Sequence, residues 1–303
     1  MDLELGGKSA LVTGGSRGIG LACAKALIKE GCAVHLVSSN AQALEAARGE
    51  LESTYGVPVR TTAANLADAG ARAALLGSAG PLDILVNNAG AIPGGGLQAV
   101  DEAVWRSSWE LKLFGYIDLA KLALPSMMER GSGVIVNVIG IAGVMPRQDY
   151  IFGATANAAL VAFTQAVGVH ATTRGVRVVG VNPGPCTTER LEKLYRDRAQ
   201  SAFGDASRWK ELLGTLPFGR ASEPEEMADL VAFLASARAS YLSGVVIDAD
   251  GGARYRRSCG DYLGSREQSP SLRLERSPFF FQFSGFLWVF PCCIPKNRVI
   301  CFD

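Results

Sequence analysis

Thr13-Gly14-Gly15-Ser16-Arg17-Gly18-Ile19-Gly20 is the stretch on which the reading of this 303-residue chain turns. It follows the apolar run Ser9-Ala10-Leu11-Val12, which reads as a buried strand. It opens into residues 19–30, where Ile19, Ala22, Cys23, Ala26 and Leu27 recur at helical spacing. A strand that turns through glycines into a helix start forms a phosphate site. Free backbone N–H groups and the positive end of the helix dipole both face the turn. A side chain there would block the approach of a pyrophosphate.

Composition narrows the function classes. Apolar residues make up 48% and charged residues 19%, and the net charge is +1, which gives no argument for nucleic acid or an anionic membrane. The charge is uneven: residues 254–303 carry +4 and the rest −3. The seven cysteines are odd in number and without CxxC spacing, and His35 and His170 are the only histidines, so no metal site is expected. The N-terminus shows no basic segment followed by an apolar one, and a cytoplasmic location is expected.

Outward from the glycine turn, strand and helix alternate. Strands are expected at 33–37, 58–63, 82–86, 133–139, 176–181 and 244–247, with helices at 41–55, 100–129, 149–173 and 224–236. That spacing is the pattern of an α/β fold with a doubly wound parallel sheet, whose ligands bind at the carboxyl ends of the strands. One domain is expected over residues 1–253.

Four motifs occur in register: Thr13-Gly14-x-x-x-Gly18-x-Gly20, Asn87-Asn88-Ala89-Gly90, Asn182-Pro183-Gly184 with Thr188, and Asp248-x-Asp250-Gly251-Gly252. Together they resemble the short-chain dehydrogenase/reductase family over roughly residues 5–253. The resemblance implies a Rossmann fold, a nicotinamide dinucleotide, a small carbonyl or alcohol substrate, and a homodimer or homotetramer. It assigns Gly14, Ser16, Gly18, Ile19 and Gly20 to the phosphates and Asn88, Ala89 and Gly90 to the adenosine ribose. Asn65 and Leu66 fall at the adenine, Pro183, Gly184, Cys186 and Thr188 at the nicotinamide, and residues 188–220 at a lid over the substrate.

At the end of the second strand stand Ser38, Ser39 and Asn40, where a carboxylate would repel a 2′-phosphate. Arg17 in the turn could pair with that phosphate, or be a solvated loop charge. NADP(H) is therefore favoured over NAD(H).

The family's active site is a serine, a tyrosine, a lysine four residues later, and an asparagine on the long helix. The lysine lowers the tyrosine pKa from about 10 toward neutrality. Aligned through Asn157-Ala158-Ala159-Leu160, the serine position becomes Gly140, the tyrosine Gly153, the lysine Asn157 and the asparagine Lys112. Lys112 shares an apolar stripe with Trp105, Trp109 and Tyr116, and Tyr150 shares a helix face with Gly153 and Asn157. One reading makes Tyr150 and Lys112 a replacement acid/base pair. The other makes Tyr150 a loop-end aromatic and Lys112 a snorkelling surface charge, and the protein a nucleotide-binding pseudoenzyme that acts as a sensor or oligomer partner.

Residues 254–276 are Arg/Ser-rich and aperiodic, which reads as a poorly ordered linker. Residues 279–290 hold Phe279, Phe280, Phe281, Phe283, Phe286, Trp288 and Phe290. This run falls short of the ~20 residues of a spanning helix. A membrane-surface anchor with Cys292-Cys293 as acylation sites is one reading, and packing on a neighbouring subunit is another. An atypical terminus without a role of its own is preferred.

Overall fold

Apolar runs too short for helices and buried on both faces give seven parallel strands in the order β3-β2-β1-β4-β5-β6-β7. The computed structural model describes residues 1–90 and 92–256. The strands are β1 (Ser9–Thr13), β2 (Ala33–Ser38), β3 (Arg60–Ala63), β4 (Ile84–Asn87), β5 (Gly133–Val138), β6 (Val176–Pro183) and β7 (Val246–Ala249). Helices α1 (Gly18–Lys29), α2 (Ala41–Tyr55), α3 (Ala69–Ala79), α4 (Glu102–Trp109), α5 (Gly115–Arg130), α6 (Ile151–Ala171), α7 (Glu189–Phe203) and α8 (Pro224–Ala235) cover its two faces.

The strand order reverses between β1 and β4, and the crevice at that switch lies beside the glycine turn. One core layer holds Val12, Leu27, Leu36, Val86, Val136 and Val231, and the other holds Leu11, Leu85, Leu119, Ile135 and Val178. Alternate residues of β1, β4 and β5 thus serve opposite faces. The segment Ile151–Arg174 is long and apolar enough to cross a membrane, with mean hydropathy 1.3. In the fold it packs on β6, as a core helix does.

Two expectations are corrected. The helix expected over 100–129 is interrupted: Glu110–Phe114 forms a π-helical turn between α4 and α5, in which the N–H of Gly115 reaches back to the carbonyl of Glu110. Helical periodicity of side chains carries no sign of such an inserted residue. Residues 254–256, expected to open a poorly ordered linker, are part of the fold. Residues 253–256 form a helical turn, with Arg254 paired to Asp248 at 2.6 Å and Arg256 on the Thr215 carbonyl at 3.0 Å. The aromatic run 279–290 and Cys259, Cys292, Cys293 and Cys301 lie outside the described residues.

Candidate active site

The carboxyl ends of β1, β4, β5 and β6 bring the motif residues to one edge of the sheet. Thr13 ends β1, and its hydroxyl accepts the N–H groups of Asn88 at 2.9 Å and Ala89 at 3.1 Å. The Asn88 amide donates to the carbonyls of Thr13 at 3.0 Å and Gly14 at 3.3 Å. The two motifs are thus bonded to each other. Gly14 has φ +65°, and a Cβ at Gly20 would overlap the Gly14 carbonyl, so glycine is required at both.

Helix α1 starts without a side-chain cap and without an acid in its first turn. Its N-terminal N–H groups and positive dipole end are therefore available to a diphosphate. Gly18 and Ile19 open that helix. The hydroxyl of Ser16 donates to Ser38 at 3.0 Å, which fixes the end of β2 beside the turn. These residues fit a dinucleotide.

Other predicted contacts have their own occupations. Asn40 caps α2, its side-chain oxygen accepting the Ala43 N–H at 2.9 Å, and Ser39 is exposed. Asn65 accepts the Ala67 N–H at 3.1 Å within its loop, and Leu66 beside it is buried. Arg17 pairs at 2.8 Å with Glu189, the first residue of α7, and both side chains are well exposed. Pro183 ends β6, and the Gly184 N–H donates to the Ala249 carbonyl at 2.9 Å. Cys186 is buried, which pushes its thiol up to about 11. Thr188 caps α7 through the Leu191 N–H at 3.3 Å.

At the opposite wall, Lys112 lies on the π-helical turn and is only 8% exposed, so it does not snorkel to water. Its amine donates to the Tyr116 hydroxyl at 2.8 Å and to the Val138 carbonyl at 2.7 Å, and the Tyr116 hydroxyl donates to the same carbonyl at 3.0 Å. Burial, and after it the charge of Arg190, pulls Lys112 down to about 7. Burial likewise drives the Tyr116 phenol upward. The stem of Lys112 crosses Gly90, where a Cβ would come within 2.6 Å of its Cδ.

Tyr150 precedes α6 with its ring laid over Gly153, in space that a Cβ at 153 would share. A loop strand holds it there: Gly95 bridges to Tyr150 and its N–H donates to the Asp149 carbonyl at 2.8 Å. Asn157 is 4% exposed. Its amide faces the Gly140 carbonyl at 3.4 Å, while its side-chain oxygen has no partner. Gly140 has φ +136°, and a Cβ there would come within 2.8 Å of the Asn157 amide nitrogen.

The structure does not bring Lys112 onto Tyr150, as the replacement-pair reading expects. The cation on the Tyr150 hydroxyl is Arg190, at 2.9 Å. Arg190 also donates to the carbonyls of Ile92 at 2.5 Å and Gly90 at 3.4 Å. Arg190 is the second residue of α7 and lies within the 188–220 segment expected as a lid; its place just after Pro183-Gly184 and Thr188 was the signal. Asp149 pairs with Arg147 at 2.8 Å and Arg198 at 3.4 Å. Among the described residues no group of three or more His, Cys, Asp or Glu could hold a metal ion.

The short chain dehydrogenase family model matches residues 8–199. The chain belongs to the short-chain dehydrogenase family. It is similar to the 2-keto-3-deoxy-L-fuconate dehydrogenase of Xanthomonas campestris pv. campestris, at 33% identity over 82% of this chain and 81% of that protein. It is 34% identical to the 3-oxoacyl-acyl-carrier-protein reductase FabG of Vibrio cholerae, over 82% of this chain and 98% of the reductase. Among solved structures it resembles the L-sorbose reductase of Gluconobacter frateurii complexed with NADPH and L-sorbose. That match has TM-score 0.77 and 32% identity, over 83% of this chain and 98% of that one. The seven-stranded parallel sheet is that family's nucleotide-binding fold.

Proposed function

We propose that the chain is an NADP-dependent oxidoreductase that interconverts a carbonyl and an alcohol, with Tyr150 as its acid/base. One observation carries this reading: the Tyr150 phenol fills the space over Gly153, with Arg190 on its hydroxyl at 2.9 Å. By the resemblance, Gly153 stands at the family's tyrosine position, so the hydroxyl comes from one helical turn earlier. Gly140, Asn157 and Lys112 stand at the other three positions, and the site is atypical at all four.

When bound, the nicotinamide supplies hydride to a carbonyl carbon or takes it from a carbinol carbon. In reduction Tyr150 gives the proton to the carbonyl oxygen, and in oxidation it takes the proton from the hydroxyl. Arg190 faces the phenolate that forms, in the role the family gives to a lysine. The unpartnered side-chain oxygen of Asn157 is an acceptor for a hydroxyl of substrate or ribose. Lys112 is a positioning residue here, tying the end of β5 to the helix before α5.

The neutral Ser38 at the end of β2, and Arg17 exposed in the turn, support NADP over NAD. Similar solved structures contain NADPH in some cases and NAD(H) in others, so the preference rests on Ser38 and Arg17. Apolar surface at Phe114, Leu122 and Val169 supports a homodimer or homotetramer.

The test is NADPH consumption against a panel of ketones and aldehydes, with Tyr150→Phe beside the parent protein. The variant is expected to lose ~10²–10⁴-fold in kcat while NADPH fluorescence titration gives the same affinity. Full turnover in Tyr150→Phe would end the assignment.

A further inference from the structure

The mouth of the site is lined by cations whose carboxylate neighbours are already engaged. Asp149 is held by Arg147 and Arg198, which keeps its carboxyl below the usual range. Glu189 is held by Arg17, and Glu192 by Arg196. Arg190, on the first turn of α7, has no carboxylate within 4.0 Å among the described residues. Its three acceptors are neutral: two main-chain carbonyls and the Tyr150 hydroxyl. Beneath it lies Lys112, a second cation, whose proton Arg190 already disfavours.

A guanidinium is a planar fork that matches a carboxylate with two parallel hydrogen bonds, stronger than those to neutral oxygens. We infer that the substrate carries a carboxylate and that Arg190 binds it, beside the carbonyl handled by Tyr150. The inference rests on the oxidoreductase reading for where the carbonyl lies, but not for the charge. With Arg190 and Tyr150 in direct contact, the carboxylate and the reacting oxygen lie within about 8 Å of each other. That limit describes a short oxo or hydroxy acid.

The probes are 2-oxobutyrate, acetoacetate and 4-oxopentanoate, each beside its methyl ester. Binding to the NADPH-loaded protein is read by saturation-transfer NMR, and turnover separately by NADPH absorbance. At least one acid is expected to bind at least tenfold tighter than its ester. Arg190→Leu should reduce that acid-over-ester ratio about tenfold, to near one, Arg190→Lys should retain part of it, and added salt should weaken acid binding alone. If Arg190→Leu fails to fold, the lysine variant and the salt dependence carry the comparison.

Acids that bind no better than their esters, or a preference that survives Arg190→Leu, would overturn the inference. An ester reduced as fast as its acid would support the reaction and overturn the carboxylate. An acid held through Arg190 that never oxidises NADPH would do the reverse, removing the proposed reaction and leaving the charge recognition standing.

Discussion

Replacing Lys112 by methionine should stabilise the protein at neutral pH, by an amount that shrinks as the pH rises. Lys112 titrates at about 7 in the folded chain against 10.5 for the ordinary side chain, chiefly because burial disfavours its charge. Between those values the unfolded chain holds the proton and the folded chain does not, so the wild type gains stability with rising pH across that window. Below pH 7 the whole difference opposes folding, about 5 kcal/mol. By pH 9 the opposition has fallen to about 2 kcal/mol.

Methionine has similar length and no charge. The Tyr116 hydroxyl would keep its bond to the Val138 carbonyl, so no buried donor is orphaned. The assay is urea unfolding of both proteins at pH 7 and pH 9. The advantage of Lys112→Met should narrow by about 2 kcal/mol, with other titrating groups cancelling in the difference. An advantage that stays constant, or widens with pH, would refute the burial argument. Because Arg190 is the second cause of the shift, Arg190→Leu should narrow the window from its lower end.

Two smaller experiments bear on neighbouring features. Gly153→Ala sets a methyl group in the space of the Tyr150 ring, so kcat should fall by about 10²-fold, the low side of what a general acid contributes, with NADPH affinity retained; steady-state kinetics with fluorescence titration decide it. Arg17→Ala should lower the NADPH-over-NADH affinity ratio by about tenfold, the worth of one exposed charge-assisted contact, read by titration with both nucleotides.

The parts of this structure legible in sequence are those set by local spacing. The glycine turn, β1 and α1 follow from sterics within a dozen residues. Trp105, Trp109 and Tyr116 beside Lys112 left burial and snorkelling both open, and the fold decides for burial. The π-helical turn was not legible, because its extra residue changes backbone bonding without altering which side chains are apolar. Nor was the meeting of Arg190 with Tyr150, 40 residues earlier, which depends on how the segment after β6 folds back over the loops after β4 and β5. Arg17 and Glu189, separated by 172 residues, are hidden for the same reason. Asn40 was readable in type but not in use: a short polar side chain at a strand end before a helix serves as a cap as readily as a ligand.

Gly90 and Lys112 are coupled by volume. The lysine stem runs through the space that a side chain at 90 would occupy, with a Cβ there only 2.6 Å from the lysine Cδ. A residue larger than glycine at 90 would push the stem aside and draw the amine off the Tyr116 hydroxyl and the Val138 carbonyl. The glycine of the nucleotide-side motif and the buried lysine therefore cannot be varied independently.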